Sequence, residues 1–208
     1  MPRDAFKRKP QQSRSRSVVE AVVTALDDVI DRTSDVAEIS MRAVADRAGV
    51  GIGSVYDYFN GQDGLFGSFL SRLTEVNFEK MERAIDATRG LPLEVALRDV
   101  LRAAMSLYLD SPRRTSAAIS FIVRLGWTGP VTRERDRFAD LLSLRILHDR
   151  PELDEAHVKV TMRLVLDAGL GVIVNELWRP TPNVRTHLLE LVDGMLHRRL
   201  GVHVRTED

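Results

Sequence analysis

The chain contains no cysteine. That excludes a disulfide framework, a zinc–thiolate site and a thiol switch, and it fits a reducing compartment. Long apolar runs are also missing. The best local run, Gly169 to Val174, falls far short of the ~18–20 residues that a membrane helix needs. Basic residues near the start are not followed by an apolar segment, so no secretory signal is read there. Neither charge sign is in excess, with 30 Lys and Arg against 30 Asp and Glu, which argues against a disordered polyelectrolyte or a uniformly basic binder. The sequence shows no strand alternation, no internal repeat, no Gly-rich loop after a strand and no Gly-x-Ser-x-Gly nucleophile motif. His148, His157, His187, His197 and His203 lack the spacing of metal ligands. A cytoplasmic protein that is not an enzyme, with no membrane partner, no cofactor and no metal, is therefore expected.

What is present is a chain of 208 residues, 44% hydrophobic, long enough to bury a core. Its zero net charge hides an uneven distribution. Residues 1–17 carry Arg3, Lys7, Arg8, Lys9, Arg14 and Arg16 against Asp4, a net of +5. Residues 18–66 carry three arginines against nine acids, a net of −6. A basic arm thus precedes an acidic segment.

Hydrophobic spacing is helical almost throughout. Val18, Val22, Ala25, Leu26, Val29 and Ile30 recur at intervals of three and four, predicting a helix from about Ser15 to Arg32. Ser40 is placed to cap a short second helix that ends at Gly49. A third runs from about Ile52 to Phe59, and Asn60-Gly61 stops it. A long helix follows from near Gln62 to Thr88, and five more fit the remainder, divided at Gly90-Leu91-Pro92, Ser111-Pro112, Gly126 to Pro130, Pro151 and Pro180/Pro182. The expected fold class is all-α. Its domains are a basic flexible arm over 1–14, a three-helix domain over 15–61 and a larger all-helical domain over 62–208.

Residues 40–59 read SMRAVADRAGVGIGSVYDYF. Two short helices around a Gly-Val turn make a helix-turn-helix. Ala45 is small enough for close helix approach, Gly49 tolerates a left-handed turn, and Val50 and Val55 face inward. Ser54, Tyr56 and Tyr58 offer hydroxyls to phosphates or base edges, and Arg42 offers a guanidinium.

The stretch from Ser40 to Phe66, SMRAVADRAGVGIGSVYDYFNGQDGLF, with a helix before it, resembles the DNA-binding domain of tetracycline-repressor-like (TetR/AcrR) regulators. The likeness covers about residues 15–70 and is strongest in Ala48-Gly49-Val50, Gly53-Ser54-Val55-Tyr56, Tyr58-Phe59 and Leu65. It implies that the three-helix unit binds DNA and that the larger domain binds a ligand and dimerises. The implied partners are a double-stranded, palindromic DNA operator, an unidentified small-molecule effector and a second copy of the chain. The implied function is a transcriptional regulator, a repressor released by its effector. Carried over by position, the DNA contacts are Arg42, Ser54, Tyr56 and Tyr58, with Ile52, Gly53 and Asp57 on the exposed recognition face. Arg14 and Arg16 of the basic arm join them on charge. Two positions depart from the family pattern: Gln62 replaces a lysine, and Gly51 replaces a capping Ser or Thr.

In the larger domain, the family likeness implies a pocket, for which Met105, Tyr108, Phe121, Trp127, Asp167, Asn175 and Trp178 are candidate lining residues. The last two helices carry stripes suited to pairing, including Val165 and Val172 on one and Leu188, Leu191, Val192 and Met195 on the other. In the family such helices form a dimer interface. The alternative from another class is a small-molecule-binding or scaffold protein with a vestigial helix-turn-helix, supported by the acidic domain and by Gln62.

Overall fold

The computed structural model describes residues 13–33 and 36–204, with side chains from residue 16 onward. Residues 1–12 of the basic arm and the side chain of Arg14 lie outside the described residues. Among the described residues the chain is all-α, as its periodicity predicts: nine α-helices, one short 3-10 turn at Val36–Glu38, and no strand. No helix among them is long and apolar enough to cross a membrane.

Packing divides the chain into two units, and the division is not a single cut. The first holds residues 1–75 and 111–130, and the second holds 76–110 and 131–208. The sequence pattern places the boundary near residue 61 and leaves 111–130 in the larger domain.

The first unit begins with α1 (Ser13–Arg32), whose inner face buries Val22, Val23, Ala25, Leu26 and Ile30. α1 starts two residues earlier than its apolar pattern predicts. The Ser13–Arg16 turn has no apolar residue to reveal it. α2 (Met41–Ala48) is capped by Ser40, whose hydroxyl accepts from the Ala43 N–H at 3.1 Å. Gly49 ends it at φ +67°, a conformation that a residue with a Cβ rarely adopts. α3 (Ile52–Tyr58) follows at once, and α1, α2 and α3 pack on one another.

α4 (Gly61–Ala87) is 27 residues long, about 40 Å at 1.5 Å per residue. Residues 64–70 are all buried, so after its first residues the helix is enclosed on every side for two turns rather than on a stripe. Ser68 meets that burial by donating its hydroxyl to the Gly64 carbonyl at 2.9 Å. α6 (Pro112–Leu125) opens with proline at its first position, where no helical N–H is needed. Its Phe121 stacks on Phe66 at 3.8 Å between ring centroids and meets Phe69 edge-on at 5.7 Å. Those three rings close the core of this unit.

The second unit comprises the rest of α4 with α5 (Leu93–Leu109), α7 (Thr128–Asp149) from Val131 onward, α8 (Glu155–Glu176) and α9 (Val184–Leu200). α7 begins four residues before the predicted Thr132 because Gly129-Pro130 sits in its first turn, where proline is tolerated. α8 is capped by Asp154, which accepts from the His157 N–H at 2.7 Å. α8 and α9 pack together and on α5. The core here is built from Leu97, Leu142, Ile146, Val158, Met162 and Leu196.

Candidate nucleic-acid interface

The helix-turn-helix presents one face of α3 to solvent. Ala45 and Val55 are fully buried and hold α2 against α3. With Val55 turned inward, the helical repeat turns Gly53, Tyr56, Asp57 and Asn60 outward. Tyr56 is 50% exposed. Ile52, Ser54 and Tyr58 are half-buried at the edges of this face. Arg42 is exposed in the first turn of α2 and Arg16 is exposed in the first turn of α1. The described candidates thus lie in the first unit, exposed or half-buried, and offer hydroxyls, guanidinium groups and one carboxylate. Hydroxyls beside a guanidinium suit phosphate oxygens and base edges, and Asp57 suits a cytosine amine.

Gly51 caps α3 with no side-chain hydrogen bond. α3 therefore rests on packing and on the Ser54 N–H to Gly51 carbonyl bond at 2.9 Å. Gln62 does not point free. Its Nε2 donates to the Ile39 carbonyl, and its Oε1 accepts from Arg124 Nη2 at 3.1 Å.

The acidic segment is organised by arginines, most of which the motif does not contain. Arg47 holds Asp28 at 2.5 Å, and Arg72 holds Glu20 at 3.1 Å. Arg114 lies 3.1 Å from Asp27 and 3.2 Å from Asp31, and Arg124 lies 2.9 Å from Asp63. Burial raises the Asp27 carboxyl above its ordinary value, with Arg114 and then Arg72 pulling it back. Residues 111–130 add Arg113, Arg114 and Arg124 and no acid, which brings the −6 of the acidic segment to −3. The sequence pattern does not reveal these arginines as part of the first unit. The one signal for them is the surplus of acids itself, which needs cations from elsewhere in the chain.

The remaining candidates fall in different places. Phe121 and Trp127 belong to the first unit, where both are buried in its packing. Met105, Tyr108, Asp167, Asn175 and Trp178 belong to the second. Met105 is buried on α5. Burial raises the Tyr108 hydroxyl above its ordinary value, and nearby Arg135 opposes this. Arg135 in turn holds Asp167 at 2.8 Å, which joins α7 to α8. Asn175 spends its amide on the Gly171 carbonyl at 2.9 Å, and Trp178 is 71% exposed beyond the end of α8. Of the pairing stripe, Val165, Leu188 and Val192 are buried in the unit's own core, Val172 and Met195 are half-buried against it, and Leu191 is 45% exposed.

Residues 35–69 match the model of the bacterial regulatory proteins of the tetR family. No curated protein matches the chain. Among solved structures, the fold is similar to SmeT, the repressor of the Stenotrophomonas maltophilia multidrug efflux pump SmeDEF, with TM-score 0.63 and 19% identity over 95% of this chain and 97% of that one. It is similar to SmeT in complex with triclosan, with TM-score 0.64 and 16% identity over 92% and 97%. A transcriptional regulator from Rhodococcus sp. Rha1 superposes with TM-score 0.63 and 24% identity over 86% and 96%. The TetR/AcrR resemblance read from Ser40 to Phe66 is met both by the matched segment and by the fold.

Proposed function

We propose that the chain is a DNA-binding transcriptional regulator of the TetR type, acting as a homodimer on a palindromic operator and released from it by a small-molecule effector. The observation that carries this reading is the recognition face of α3, with Tyr56 half-exposed over a fully buried Val55 and a left-handed turn at Gly49. A helix held by its inner face with a polar outer face suits insertion into the major groove. The contacts proposed are Arg42, Ile52, Gly53, Ser54, Tyr56, Asp57 and Tyr58, with Arg14 and Arg16 toward the phosphates.

The effector site is proposed in the second unit, around Met105, Tyr108, Asp167 and Asn175. SmeT, a repressor of similar fold, is known in complex with triclosan, which supports a small molecule as the regulating signal here. α4 contributes residues to both units and is the proposed coupling element. Coupling is reciprocal: whatever the effector does to DNA affinity, DNA does to effector affinity.

The test is selection of duplexes from a random-sequence pool by the full-length protein. The expected product is a palindrome whose half-sites lie about 34–36 Å, or one helical turn, apart. A pool that stays random after repeated rounds favours the scaffold alternative.

A further inference from the structure

α6 is separated from the helix-turn-helix by more than fifty residues, yet it is fastened to the reading unit at both of its ends. At its start, Arg113 Nη1 donates to the Asp31 carbonyl in the last turn of α1, where helix carbonyls lack partners of their own. Arg114 lies against Asp27 and Asp31, on successive turns of the same helix. At its end, Arg124 Nε donates to Asp63 Oδ1 at 2.9 Å, and its guanidinium lies over the Phe66 ring, 5.3 Å from the centroid. The other arm of Arg124 reaches Gln62.

The Gln62 amide has both ends engaged. A guanidinium only donates and a carbonyl only accepts, so Arg124 must face the amide oxygen and Ile39 must face the amide nitrogen. That fixes the amide in one orientation. Ile39 is buried and directly precedes Ser40, the cap of α2. One planar side chain therefore joins the end of α6 to the backbone at which the helix-turn-helix starts.

We propose that Arg124 and Gln62 are positioning residues: a relay from α6 through the Gln62 amide to the Ile39 carbonyl sets the pose of α2 and, through the Gly49 turn, of α3. Gln62 is not a phosphate ligand in this arrangement, since its polar atoms are spent inside the unit, and Arg124 spends its Nε and Nη2 on Asp63 and Gln62. The relay rests on the reading of α2 and α3 as the DNA-reading pair for its consequence, but not for its existence. Any displacement of α6 is transmitted to the recognition helix by a hydrogen-bonded link separate from the continuity of α4.

Amide hydrogen exchange on the full chain without DNA tests the relay. Arg124→Ala and Gln62→Ala are each expected to lower protection of the Ala43 and Val44 amides about five- to tenfold, as for the removal of one hydrogen bond to a charged or buried group, and the double variant no further. Gln62→Glu keeps the bond to Arg124 but has no donor for Ile39, and is expected to show the same drop in protection. Arg124→Lys, which keeps a donor, is expected to restore part of it. Unchanged exchange at these amides, or an additive drop in the double variant, overturns the proposal. On a duplex selected by the unaltered protein, the same variants are expected to bind about five- to tenfold more weakly, with unchanged affinity for unrelated duplex and an unchanged salt slope. Equal weakening on both duplexes with a shallower slope makes Arg124 a phosphate ligand and overturns the relay. If the unaltered protein selects no duplex, the DNA reading fails, and the exchange result still decides the relay.

Discussion

Tyr56 and Gln62 lie within one short stretch, and only one of them is legible from that stretch. The outward placement of Tyr56 follows from Val55 being the buried residue of a short helix. What Gln62 does depends on Arg124, 62 residues away, and no local pattern contains that partner. Tyr56→Ala is expected to leave stability within about ±0.5 kcal/mol, as for an exposed position. It is expected to cut affinity for a selected duplex about tenfold, which competition binding beside a urea melt reads out. Asp149 gives a second residue-level test. The His148 hydrogen bond, and then Arg145, hold its carboxyl below the ordinary 3.8. A carboxylate of lowered pKa stabilises the fold above its unfolded value, and that contribution disappears as pH falls through the folded one. Asp149→Asn is expected to lower the thermal midpoint near neutral pH and to match the unaltered protein once the pH is well below 3.8. A deficit that persists in acid contradicts the assignment.

At the scale of elements, the helices were legible because their apolar residues recur at helical spacing and because Gly49, Gly126 and Pro112 mark their ends. Starts without such marks were not. α1 and α7 both begin earlier than predicted, through turns that carry no apolar residue or that carry a proline the pattern treats as a stop. The membership of α6 in the first unit was illegible for another reason. Its partners, the rings of Phe66 and Phe69 and the acids of α1, lie far from it in the chain, where no local pattern contains them. α3 is the least supported element of the reading unit, with a glycine cap that makes no side-chain bond. A Cβ at Gly51 meets nothing within 4 Å. Gly51→Ser is therefore expected to stabilise the fold by a few tenths of a kcal/mol (about 0.3) in urea unfolding. Destabilisation contradicts the absence of a cap.

For the whole molecule, a net charge of zero first counts against a nucleic-acid partner, and its distribution reverses that. With α6 included, the acidic segment falls from −6 to −3, and residues 1–17 add +5. The first unit as a whole is mildly basic, and its cations are concentrated at the start of the chain. The proposed homodimer is tested at the same scale. The exposed apolar residue of the α9 stripe is Leu191, and Leu191→Asp is expected to shift sedimentation from dimer to monomer while leaving helical content unchanged. An unshifted dimer places the interface elsewhere.

Sequence-reading of DNA by α3, aided by the basic start of the chain, is checked by one salt titration. Binding of the full chain and of a chain lacking residues 1–12 is followed by fluorescence anisotropy on a selected duplex and on its scrambled counterpart. The account predicts preference for the selected duplex by both chains. It also predicts a log–log salt slope shallower by about 0.9 for each phosphate that the shortened chain leaves unneutralised. Equal binding of the two duplexes by the full chain would contradict it.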